Sequence, residues 1–105
     1  MSDKLSPEAA ILRMEEFWDL DGYFFKLRQG DYQPGIAEQV EVVLRSIAVT
    51  EETPMPRRLV SLTWMIPTFM EWQLERVGER GGDVDALRRD ITRLRNAVND
   101  LLGAP

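Results

Sequence analysis

Six apolar residues, Val84, Leu87, Ile91, Leu94, Val98 and Leu101, recur at intervals of three, four, three, four and three. A strand alternates every second residue, so this spacing fits an α-helix with one continuous apolar seam. Asp83 stands just before the seam, where its carboxylate can cap the first turn. The helix is expected to run from there to about Leu102. The seam holds fewer than three full heptads, short of what a free-standing coiled coil needs. Packing inside the chain's own bundle is therefore the first reading, and self-association the second.

Two further segments carry the same period. Ile36, Val40, Val43, Leu44 and Ile47 mark an amphipathic helix, with Glu41 and Arg45 paired on its outer side. Ser6-Pro7-Glu8 reads as a helix start, with Ser6 as cap and Pro7 in the first turn. Ile11, Met14, Phe17 and Trp18 then share one face. Gly22 interrupts this helix, and residues 23–28 fit either a helix, which is favoured, or a short strand. Gly30 to Gly35 is a turn cluster.

From Leu59 to Val77 the chain is apolar nearly all round, as expected of a central helix. Thr53 is expected to cap it, with Pro54 and Pro56 in its first turn, and Pro67 to kink it. Trp64, Met65 and Trp72 lie away from its main apolar face. Burial is the ordinary reading for both tryptophans, and an exposed ridge is the alternative. Gly78 and Gly81-Gly82 close the segment. The whole predicts an all-α, single-domain bundle of four to five helices spanning residues 1–105.

The 105 residues include neither histidine nor cysteine. The usual general base at neutral pH, the usual partner of a nucleophilic serine and the thiolate ligands of metal sites are thereby missing. The expectation is a protein without catalytic residues, cofactor or metal. The longest uncharged run, Leu59 to Met70, is too short to span a bilayer, and Met1 to Glu8 lacks a signal-peptide pattern. A cytoplasmic location follows as the expectation.

The net charge is −5, unevenly placed. Residues 1–56 carry eleven acidic and five basic side chains, and residues 57–105 carry seven and eight. Such a balance disfavours nucleic acid and anionic membrane as partners and favours a basic protein. The arginines of the last helix, Arg88, Arg89, Arg93 and Arg95, are interleaved with Asp85, Asp90 and Asp100, which weakens a nucleic-acid reading further.

On the first helix Glu8, Glu15 and Asp19 line up, with Glu16 nearby and Asp21 and Asp31 in adjoining segments. Like charges four apart cost a few tenths of a kcal/mol, so a sequence that repeats them either tolerates a solvated face or uses its field. Tyr23 and Tyr32, flanked by Asp21 and Asp31, are the aromatics expected to be exposed as interface anchors. The candidate partner-binding set is Glu15, Glu16, Asp19, Asp21, Tyr23, Asp31 and Tyr32.

In size, acidity, helical pattern and lack of catalytic residues, the chain resembles the bacterial immunity proteins of contact-dependent inhibition and other polymorphic toxin systems. Phe17-Trp18-Asp19-Leu20-Asp21-Gly22-Tyr23-Phe24 has the acidic and aromatic character of their binding surfaces. The resemblance implies a cytoplasmic inhibitor, a monomer or weak homodimer, that binds and neutralises a cognate basic toxin domain, often a nuclease. The alternative is a self-associating structural or regulatory adaptor that uses the seam of the last helix.

Overall fold

The computed structural model describes residues 4–103, so the leader reading of Met1 to Asp3 lies outside the described residues. The described residues form seven helical segments: α1 (Pro7–Trp18), α2 (Tyr23–Arg28), α3 (Ile36–Ser46), α4 (Arg57–Thr63), α5 (Ile66–Glu71), α6 (Leu74–Glu79) and α7 (Val84–Leu102). Helix accounts for 67% of the described residues, and no strand occurs among them. The fold is the all-α small bundle read from the sequence, with residues 23–28 helical.

α7 organises the core. Leu87, Ile91, Leu94, Val98 and Leu101 are all buried, with Ala97 filling the space between them. The Asp83 carboxylate accepts from Ala86 N at 3.0 Å, and Ser6 Oγ accepts from Ala9 N at 3.1 Å, so both expected caps form. α3 packs along α7 in the same direction. Glu38 and Glu41 meet Arg93, and Arg45 meets Asp100 at 2.8 Å. α3 begins at Gly35, whose φ of 86° suits a residue without Cβ. α1 runs against α3, tied at its start by a single bridge between Leu5 and Ile47.

The segment expected to be one kinked helix is three short ones. Thr53 does not cap α4. Its Oγ1 instead accepts from Thr50 N at 2.8 Å, and Pro56 takes the position before the helix. Pro67 has no N–H, so the bond back to the Thr63 carbonyl cannot form. The buried Thr63 hydroxyl adds to the bend by donating to the Leu59 carbonyl at 2.9 Å. At the second break Gln73 N turns to the Met70 carbonyl at 3.0 Å. Its own side chain then supplies the bond that the Phe69 carbonyl would have lost, at 3.1 Å. These breaks let the segment begin against α1, through α4, and finish against α7, through α5 and α6.

Candidate partner-binding surface

α1 presents two faces. Ala10 and Met14 are buried, and Ile11, Phe17 and Trp18 pack half-buried on the core. On the outer side Glu8, Leu12 and Glu16 follow at intervals of four, and Asp19, Leu20 and Asp21 continue the exposed line. Leu12 is 65% exposed and Leu20 75%, so two large apolar side chains stand among the carboxylates. Among the described residues Glu8, Glu16, Asp19, Asp21 and Asp31 form no ion pair. Glu15 does, accepting from Arg58 at 2.8 Å.

These acids sit where the helix disfavours them. Glu15, Glu16 and Asp19 crowd the C-terminal end of α1, whose last turn holds no basic residue. The partial charge of a helix C-terminus is negative, so cations are stabilising there and anions destabilising. The helix end and the carboxylates therefore add to one negative field.

A rigid corner holds this surface. The α1 path ends at Asp19, whose carbonyl accepts from Gly22 N at 2.8 Å, and Asp21 adopts a left-handed φ of 66°. A Cβ at Gly22 would lie 2.4 Å from the Glu16 carbonyl oxygen, so only glycine fits the turn into α2. Beneath the corner the Trp18 ring stacks on Phe24 at 4.3 Å between centroids and meets Phe69 edge-on at 5.0 Å. Its Nε1 donates to the Leu62 carbonyl at 2.9 Å. Glu15 with Arg58 and Trp18 with Leu62 give α1 and α4 the same direction. Trp64 therefore lies at the end of the pair where Leu20 sits, and it is 58% exposed.

The two tyrosines behave differently from the expectation. Tyr23 is only 2% exposed, within the first turn of α2, and it packs edge-on against Phe24. It is a core residue and offers no surface to a partner. Its hydroxyl is the one buried side-chain polar atom without a hydrogen-bond partner among the described residues. Burial first, and then the nearby Asp90 carboxylate, push this phenol far above its ordinary range, so it stays neutral. Tyr32 is half-buried, and its hydroxyl donates to the Asp90 carboxylate. Desolvation and that bond raise its pKa as well. Tyr32 fastens the loop after α2 to α7, so it is a staple rather than an exposed anchor. Asp31 lies in that loop, at the far end of α2 from Asp19 and Asp21, so the structure does not gather it with the α1 acids.

The apolar groups that do reach solvent are Leu12, Leu20, Val42, Trp64 and Trp72, the last 62% exposed. Trp64 and Trp72 are thus not core residues. The leucines had one sequence signal, their place off the buried stripe of α1. The arginines of α7 are mostly engaged: Arg88 with Asp85, Arg93 with Glu38 and Glu41, and Arg95 with Glu71. No group of three metal-ligating side chains occurs among the described residues, and no helix there is long and apolar enough to cross a membrane. Comparison of the chain with protein-family models, curated proteins and solved structures finds no match.

Proposed function

We propose that this chain is a non-catalytic inhibitor of the immunity-protein type, which binds and neutralises a basic toxin domain, a nuclease being the first candidate, in the cytoplasm. One observation carries the reading. The outer face of α1 and the corner that follows it expose Leu12 and Leu20 beside unpaired Glu16, Asp19 and Asp21, at a helix end that itself favours positive charge. Apolar anchors ringed by like charges suit a partner whose Lys or Arg residues surround a small apolar depression. The carboxylates would steer encounter and the leucines, with Trp64 at the same end, would hold the complex. The two tyrosines leave this interface, one for the core and one for the Asp90 staple. The seam on which a self-associating adaptor would depend faces the chain's own core, which favours the inhibitor over that alternative.

The test is kinetic. The triple variant Glu16→Gln, Asp19→Asn, Asp21→Asn keeps the fold, since these groups form no ion pair, and Asn tolerates the left-handed backbone at position 21. Against a basic toxin domain encoded beside this chain, its association rate should fall by about tenfold or more at low salt and lose most of its salt dependence. Leu20→Ala should raise the dissociation rate instead. An unchanged rate and salt slope in the triple variant would remove α1 from the interface.

A further inference from the structure

We infer that the C-terminal ends of α3 and α7, with the loop leading into α4, form a binding site for a small organic cation that carries an apolar body. A cavity of about 600 Å³ opens there, within the range of ligand-binding clefts. Val49, Met55, Val60 and Leu101 give it apolar walls, and Glu51 and Asp100 stand among its lining residues. A smaller cleft of about 160 Å³ shares Val49, Asp100 and Leu101 with it, so the two lie side by side at the ends of α3 and α7.

The sign of the ligand follows from the charges. Among the described residues no lysine or arginine lines the larger cavity. Arg45, in the smaller cleft, is divided between Asp100 at 2.8 Å and Glu41 at 3.0 Å, and the network that continues through Arg93 to Glu38 still holds more carboxylates than guanidinium groups. Glu51 is exposed and forms no ion pair among the described residues. α7 also directs its C-terminal end here, adding the negative pole of a nineteen-residue helix. An ammonium or guanidinium group at the carboxylates with its hydrocarbon against Met55, Val60 and Leu101 satisfies both characters of the cavity. The smaller cleft lies at the other end of α1 from Leu20, since Leu5, just ahead of α1, pairs with Ile47 in its lining, and no residue of α1 lines either cleft. The site is independent of the α1 surface.

The experiment titrates the whole chain with heptylammonium and, in parallel, with heptanol and heptanoate, following backbone amide shifts. Saturable shifts centred on Val49, Val60 and Leu101 are expected with heptylammonium, about tenfold weaker with heptanol, and none with heptanoate. Glu51→Gln should weaken heptylammonium several-fold while leaving the thermal melt in place. Val60→Trp should fill the cavity and abolish the shifts. Met55→Trp serves the same purpose should the first substitution disturb α4. Equal response to all three probes, no saturation up to about 10 mM, or an indifferent Glu51→Gln each overturns the assignment.

Discussion

α1 and α7 are both amphipathic helices started by a side-chain cap, yet they handle their charges in opposite ways. α7 meets its surroundings with compensated pairs: Arg93 reaches Glu38 and Glu41 on α3, Arg95 reaches Glu71 on α5, and Asp100 receives Arg45. α1 has one such pair, Glu15 with Arg58, and leaves Glu16 and Asp19 uncompensated at its negative pole. Apart from its C-terminal end, the first helix to be read from the sequence is thus a structural one, with its ion pairs made inside its own chain. The other carries an unmet electrostatic demand on its outer face. Surface ion pairs contribute little to stability, so the contrast concerns what each face can attract more than how firmly it is held.

The largest effect expected from this contrast lies in the α7 seam. Leu94→Ala or Ile91→Ala should destabilise the fold by about 2–5 kcal/mol in chemical denaturation, because each opens a cavity in a packed core. A loss below about 0.5 kcal/mol would make α7 peripheral and reverse the comparison.

The tyrosines give the next largest effect. Tyr32→Phe removes the staple to Asp90 and should cost about 1–2 kcal/mol, discounted for partial exposure. Tyr23→Phe removes a hydroxyl that has no partner and should be neutral or slightly stabilising. Both phenols are raised in the folded state, so the folded protein keeps protons that the unfolded chain releases above its own value of about 10. Stability should therefore be level below that pH and fall above it. The fall should become shallower in Tyr23→Phe, as read by denaturant midpoints from pH 9 to 11.5. A pH-independent midpoint across that window would place Tyr23 at the surface.

The smallest stability change belongs to α1, and its sign is the informative part. Asp19→Lys places a cation at the negative helix end and should raise stability by about 0.3–1 kcal/mol while weakening capture of a basic partner. A variant that gains stability and binding together would show that the acidic end has no part in recognition.

The legible parts of this molecule are those set by neighbours in sequence. The α7 and α3 periods, the Ser6 and Asp83 caps and the turn at Gly30 to Gly35 need only a few consecutive residues to be read. The broken course of residues 57–79 was only half legible. Pro67 announces a kink, but the second break depends on whether the Gln73 amide can reach the Phe69 carbonyl, which is a matter of packing. Which side of so apolar a segment faces outward is likewise decided by α1 and α7 rather than by its own period, so Trp64 and Trp72 read as core residues and are not. Tyr23 failed in the opposite direction. Its acidic neighbour Asp21 suggested water, whereas the corner at Gly22 turns the ring inward onto Phe24. At the candidate surface the acids of α1 are legible from spacing, whereas the exposure of Leu12 and Leu20 is set by which face of α1 meets the core, through Ala10 and Met14.

The break between α4 and α5 also bears on how the protein comes into being. Because the chain leaves α1 at Thr63 and continues against α7, neither flank of that crossing holds a finished core. While the ribosome has released only α1 to α4, Leu44 and Val40 still lack the α7 side chains that will cover them, and Ile66 and Met70 have yet to meet their helix. Synthesis at about 5–20 residues per second leaves this interval open for seconds, with apolar surface on view. Closure awaits Leu94 and Leu101 on α7, which emerges after the other six helices. A nascent chain of this kind is expected to fold in one step once α7 has emerged, and a stalled chain ending near Gly82 to be bound by chaperones or degraded rather than kept as a half-built domain.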